Sequence, residues 1–187
     1  MLRSYKTQDP VLKPQLALPV CAVQCAVNFY ENKQTPLTRA IADLLTIAFF
    51  FLLRPGEYTM PTSRTKTRTV QFPCQDVRFF KNGTILPHSA SLATLRTANA
   101  IRLYLDNQKN GQRGATMHHT ARPSPFCPVK ALAARVHHLF QIAPASPEMP
   151  LSFVGLGTHV TSSHITLAVR ESVVLSGLLN SGYSPSR

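Results

Sequence analysis

A run of apolar side chains that leaves no face for water sets the first limit on this chain. Leu37, Ile41, Leu44, Leu45, Ala48 and Leu52 recur at helical spacing, and Phe49, Phe50 and Phe51 widen the stripe until the helix is apolar nearly all round. Such a helix belongs at the centre of a core. Its most apolar part, Leu44 to Leu53, is about ten residues with Thr46 inside it, too short to span a bilayer. Thr35, Pro36 and Thr38 supply its start, and Pro55-Gly56 interrupts it. At 187 residues with 44% hydrophobic content, one domain is expected and wholesale disorder is unsuited to the composition.

The flanking sequence divides readily. Residues 1–16 read as an extended arm, because Pro10 and Pro14 prevent regular pairing, and 17–187 as the domain proper. Leu18 to Tyr30 predicts a helix with Pro19 in its first turn. Val77 to Phe80 predicts a strand with a tight turn at Asn82-Gly83. Ala100 to Gln108 predicts a better one, with Ile101, Leu103 and Leu105 on one face and Arg102, Tyr104 and Asp106 on the other. Asn110-Gly111 then suits a hairpin turn, and Arg113 to His119 the returning strand. Val129, Leu132, Ala133, Val136, Leu139 and Phe140 form a helical stripe with Pro128 in its first turn, and a last helix starts near Ser162 or Ser163. The expected fold is mainly α with a small three-stranded antiparallel β-sheet.

Charge points to the partner class. Lys plus Arg number 20 against 8 Asp plus Glu, a net charge of +12. Twelve of the basic residues lie between Tyr58 and Pro147, opposed there by Asp76 and Asp106 alone. They are spread through folded-looking sequence, as suits a surface laid along a phosphate backbone. Such an excess disfavours a carboxylate-rich metal cage, and Asp43, Glu57, Asp76 and Asp106 are too scattered for a paired acid–base set. Cys21, Cys25, Cys74 and Cys127 lack zinc-site spacing and read as reduced, buried thiols; His118-His119 and His137-His138 read as surface or helix-face residues. No metal, cofactor, small-molecule substrate or membrane association is expected.

Two sites carry candidate chemistry. In Leu53-Arg54-Pro55-Gly56-Glu57, Pro55 suits the first position of a short helix, which sets Arg54 at its cap, where an anion is favoured. Glu57 can reach back to hold the guanidinium or to cap the turn. Arg54 and Glu57 then form either an orienting pair aimed at a phosphate or a structural salt bridge at a helix junction. In Gln108-Lys109-Asn110-Gly111, Lys109 abuts a tight turn. It is either a solvated turn lysine or a proton donor to a departing oxygen. Arg64, Lys66, Arg68, Arg113 and Arg122 are candidate phosphate contacts.

Leu53-Arg54-Pro55-Gly56-Glu57 resembles the Leu-Arg-x-x-Glu motif of the tyrosine recombinases, the phage-integrase-like enzymes. The longer string Phe49 to Tyr58, with Gln108-Lys109-Asn110-Gly111 and Cys127-Pro128-Val129-Lys130-Ala131-Leu132 after it, resembles the recombinases of eukaryotic mobile elements. The resemblance covers about 17 to 187. It implies a catalytic-domain fold of that type and DNA breakage and rejoining through a phosphotyrosyl link, without metal or cofactor. Arg54 matches the first arginine, Glu57 its supporting acid and Lys109 the lysine that protonates the leaving oxygen. Double-stranded DNA is the implied partner, with room for self-association on it, and the implied location is nuclear in a eukaryote and otherwise cytoplasmic, not secreted.

The chain departs from the family after the Val129 helix, where a His-x-x-Arg motif and then the tyrosine should follow. The one His-x-x-Arg, His119-Thr120-Ala121-Arg122, precedes that helix and reads as a chance match, and Tyr183 falls ahead of the place where the motif should begin. The expectation is therefore a C-terminally truncated, DNA-binding part of such a domain, inactive alone. A blander reading is a decayed or mis-spliced gene product that does not fold stably, with Phe49 to Phe51 and the Val129 stripe partly uncovered for want of C-terminal helices. The alternative is a non-enzymatic basic DNA- or RNA-binding module.

Overall fold

The computed structural model describes residues 18–61, 71–105, 114–142 and 146–178. The arm at 1–16 and the hairpin tip at 106–113 lie outside the described residues. Six helices and six strands follow in the order α1 (Val20–Asn32), α2 (Pro36–Phe51), α3 (Pro55–Tyr58), β1 (Val77–Lys81), β2 (Thr84–Leu86), α4 (Leu92–Arg96), β3 (Ala100–Leu105), β4 (Ala115–Thr120), α5 (Pro128–Ile142), β5 (Phe153–Gly155), β6 (Thr158–His159) and α6 (Ser162–Leu175).

Helix α2 occupies the centre, against α1, α5 and α6. Ala40, Ile41, Ala42, Leu44, Leu45, Ile47 and Phe51 are all buried along it. Thr46 stands among them, and its hydroxyl donates to the Ala42 carbonyl at 3.0 Å, which satisfies the one polar atom that burial would otherwise orphan. The start is a reciprocal capping box between Thr35 and Thr38 with Pro36 at the first helical position, as the sequence predicts. The end is unusual. Leu52 takes a left-handed conformation (φ 53°, ψ 39°), and the Leu53 N–H reaches back to the Ala48 carbonyl at 3.0 Å. Glycine normally fills that position, because a side chain there crowds the carbonyl oxygen.

Four antiparallel strands form the main sheet in the order β2-β1-β3-β4, and β5-β6 form a separate pair. The expected three-stranded sheet is therefore one strand short. Asn82 and Gly83 both have positive φ (50° and 82°), the tight hairpin turn those residues favour, and the chain pairs on its return, Lys81 against Thr84 and Phe79 against Leu86. Three residues carry too little periodicity to be read as a strand. Helix α4 is absent from the sequence expectation for the same reason; Ser91 caps it by accepting the Thr94 N–H at 3.1 Å. About half of the described residues are helical.

The sheet's inner face, Val77, Phe79, Ile101, Leu103 and Leu105, is buried. The alternation along β3 is the one predicted. The Val129 stripe is not uncovered as expected: Val129, Leu132 and Val136 are fully enclosed by the sheet and α2. Phe50 and Phe49 are half-buried, and Phe126 covers them with ring centroids 5.1 and 5.3 Å away.

Leu52→Gly relieves the left-handed strain at a side chain that is 83% exposed and packs little. The variant is expected to be more stable by about 1 kcal/mol, raising the melting temperature by about 2–4 °C in a calorimetric scan.

Candidate nucleic-acid interface

Two of the basic residues the sequence singles out, Arg54 and Arg122, lie near the end of α2. Pro55 disfavours helical backbone at the residue before it, so Arg54 is extended (φ −80°, ψ 146°) and α3 restarts immediately after it. Glu57 caps that turn: its Oε2 accepts the Arg54 main-chain N–H at 2.8 Å. Glu57 is buried, and its carbonyl accepts the Phe72 N–H at 3.0 Å. Met60 N–H in turn donates to the Val160 carbonyl at 2.8 Å. The backbone carrying Arg54 is thus stitched to two other segments, while the Arg54 side chain is exposed.

Arg122 comes to the same helix end from β4. His119 pairs with Ile101 and so faces inward, its ring 4.6 Å from Phe51 and 5.8 Å from Phe50, edge-on to both. The chain then turns, and the Arg122 guanidinium lies 4.9 Å from the centre of the Phe50 ring, a cation–π contact. Its main-chain N–H donates to Cys127 Sγ at 3.3 Å, and Lys130 Nζ donates to the carbonyls of Ser124 (3.2 Å) and Pro123 (3.4 Å). Arg54 and Glu57 thus follow the end of α2, and Arg122 packs on Phe50 in its last turn. Arg64, Lys66, Arg68, Lys109, Arg113 and Tyr183 lie outside the described residues.

A second basic feature went unpredicted as a site. Arg78 pairs with Arg102, and Arg102 with His118, so the three form a row across the outer face of the sheet. Arg78 Nη1 donates to the carbonyls of Gln75 (2.7 Å) and Val77 (3.2 Å), and the Arg102 guanidinium lies 5.6 Å from the Phe80 ring centre. Like charges directly opposite on neighbouring strands repel. The signal was available, since Arg102 has outward parity on β3, but register between β1 and β3 is not written in either strand alone.

The third feature is a cavity of about 560 Å³ walled by α2, α4 and α5 and bounded by the α1–α2 turn. Arg39, Arg96 and Arg135 line it, together with Asp43 and Glu31. A smaller recess of about 350 Å³, lined by Lys130, adjoins it at Asp43 and Arg96. Arg135 is 1% exposed. Its Nε donates to the Leu151 carbonyl at 2.7 Å, and its Nη2 has no partner. Spacing could have flagged it: Arg135 falls three residues after Leu132 and four before Leu139, on the core-facing stripe of α5. Asp43 is half-buried by surface area, but its carboxyl is pushed up to about 8 by desolvation, with Arg135 pulling the other way.

Other titratable groups are structural. Cys74 is pushed up to about 11 by burial and faces His88 Nδ1 at 3.8 Å, while His88 Nε2 donates to the Val77 carbonyl at 2.7 Å. Desolvation lowers His88 below the usual histidine range, so this pair is a neutral thiol beside a neutral imidazole. Cys74 and Cys127 are buried, whereas Cys21 is exposed and Cys25 only half-buried, against the expectation of four buried thiols. Among the described residues no helix is long and apolar enough to cross a membrane, and no three His, Cys, Asp or Glu side chains converge as metal ligands. No protein-family model, curated protein or solved structure matches the chain.

Asp43 makes stability depend on pH. Between the ordinary carboxylate pKa and about 8 the folded chain holds a proton that the unfolded chain has lost, so stability falls as pH rises through that window. Asp43→Asn mimics the protonated form. Its urea unfolding midpoint is expected to match the parent near pH 4 and to exceed it at pH 8, the gap widening steadily between.

Proposed function

We propose that this chain is the DNA-binding part of a tyrosine-recombinase-type catalytic domain, holding double-stranded DNA at the exposed end of α2. The observation that carries the reading is the cap at Arg54. Glu57 locks the main chain of that residue at 2.8 Å, and the side chain stands exposed on a backbone tied to two other segments. Arg122, seated on Phe50, adds a second guanidinium at the same helix end. Guanidinium forks match phosphate oxygens in two-point contacts, and the net charge of +12 favours a polyanion over any neutral partner.

In this reading Arg54 and Arg122 hold a backbone phosphate, and Lys109 is the residue that would protonate the leaving oxygen in a complete site. The 187 residues contain no His-x-x-Arg after the Val129 helix and no tyrosine placed to follow one. The chain by itself is therefore expected to bind DNA without breaking it. The row Arg78, Arg102, His118 favours a second reading, a non-enzymatic basic module whose phosphate contacts are spread over the sheet.

Fluorescence anisotropy with a labelled duplex separates the two. Arg54→Ala should weaken binding about tenfold and lower the slope of log affinity against log salt by about one, with the melting temperature unchanged. Arg102→Ala should cost much less. Equal losses for Arg54→Ala, Arg78→Ala and Arg102→Ala would favour the module, and unchanged binding in Arg54→Ala would overturn the site. A denaturant-resistant adduct between the purified chain and a duplex would refute inactivity.

A further inference from the structure

The cavity between α2, α4 and α5 does not include Arg54 or Arg122. It begins at the first turns of α2, whereas Arg54 lies beyond the opposite end of that helix. Its volume of about 560 Å³ falls within the range of small-molecule sites, about 300–1,000 Å³. We infer that it is a binding site for a small molecule bearing a polyphosphate group, held by Arg39, Arg96 and Arg135.

The buried guanidinium is what points to a ligand. Arg135 is enclosed, forms part of the cavity wall, and makes one hydrogen bond, through Nε to the Leu151 carbonyl. Its Nη2 is buried with no acceptor. A buried ionic donor left unsatisfied is costly, and such groups are found paired or at sites that receive an anion. The neighbouring carboxylate does not play that part. Asp43 makes no hydrogen bond to Arg135, and desolvation pushes its carboxyl up against the pull of Arg135, Arg96 and Arg39.

Charge and shape narrow the ligand class. Arg39 comes from α2, where its Nη2 donates to Gln34 Oε1 at 2.9 Å, Arg96 from α4 and Arg135 from α5, so three elements each supply an arginine to the lining. Lys130 extends the basic lining into the adjoining recess, and Glu31 is the second acid of the lining beside Asp43. A single carboxylate would neutralise only one of these four cations. Two or more linked phosphates, each offering several oxygens to a guanidinium fork, suit the number and the spread.

The test uses the full chain with sodium pyrophosphate as probe, against sodium chloride at matched ionic strength. Pyrophosphate should raise the melting temperature while chloride does not. Arg39→Gln and Arg96→Gln, both at exposed positions that leave the core intact, should each weaken binding about tenfold in titration calorimetry. Arg102→Gln removes the same charge from the sheet's outer face and should retain full binding, as should Arg54→Ala. Arg135→Met should abolish binding, with the rim variants deciding the matter if it fails to fold. No shift above matched salt, an undiminished shift in the Arg39→Gln/Arg96→Gln double variant, or an equal loss in Arg102→Gln or Arg54→Ala would each overturn the site.

Discussion

Helix α2 buries most of its length from Ala40 to Phe51, and the other elements are arranged around that constraint. Helices α1, α5 and α6 and the Phe126 loop enclose it, and its one internal hydroxyl is spent on its own backbone. Such a helix cannot run on into polar sequence without a sharp change of direction. Leu52 supplies the change by adopting a left-handed conformation, and Pro55 keeps Arg54 extended before α3 starts. The abrupt halt brings a charged residue to the surface within three positions of a fully enclosed phenylalanine.

Most helices were legible because their signals are local and repeated. The Thr35-Pro36-Thr38 start, the Val129 stripe and the start near Ser162 all stand where the sequence put them. What escaped was short or relational. Strand β2 and helix α4 span three and five residues, too few for a period to declare itself. Of the candidate site, the turn at Arg54 and Glu57 could be read from Pro55 and the three-residue spacing. The arrival of Arg122 at the same helix end could not, because it depends on β4 register and on a sulfur acceptor five residues further along. Arg135 was legible in principle. Its place on the apolar stripe of α5 sets it apart from the other basic residues.

Two kinds of arginine environment coexist in this molecule. Arg54 and Arg122 stand at the surface, where solvent and salt screen them and a long polyanion can reach them. Arg135 is enclosed, so its field is felt at short range by groups inside the fold, as the opposing pulls on Asp43 and Cys74 indicate. The first environment suits many loose contacts along a backbone, and the second a few close ones to a compact ligand.

The facing arginines on β1 and β3 tie the sheet to its ionic surroundings. Arg78 and Arg102 sit directly opposite one another, a juxtaposition that costs roughly 0.2–1 kcal/mol when counterions are scarce. Dissolved salt relaxes that repulsion yet competes with any nucleic acid for the same cations. Ionic strength therefore acts on the sheet itself, which added salt tightens and dilute buffer loosens.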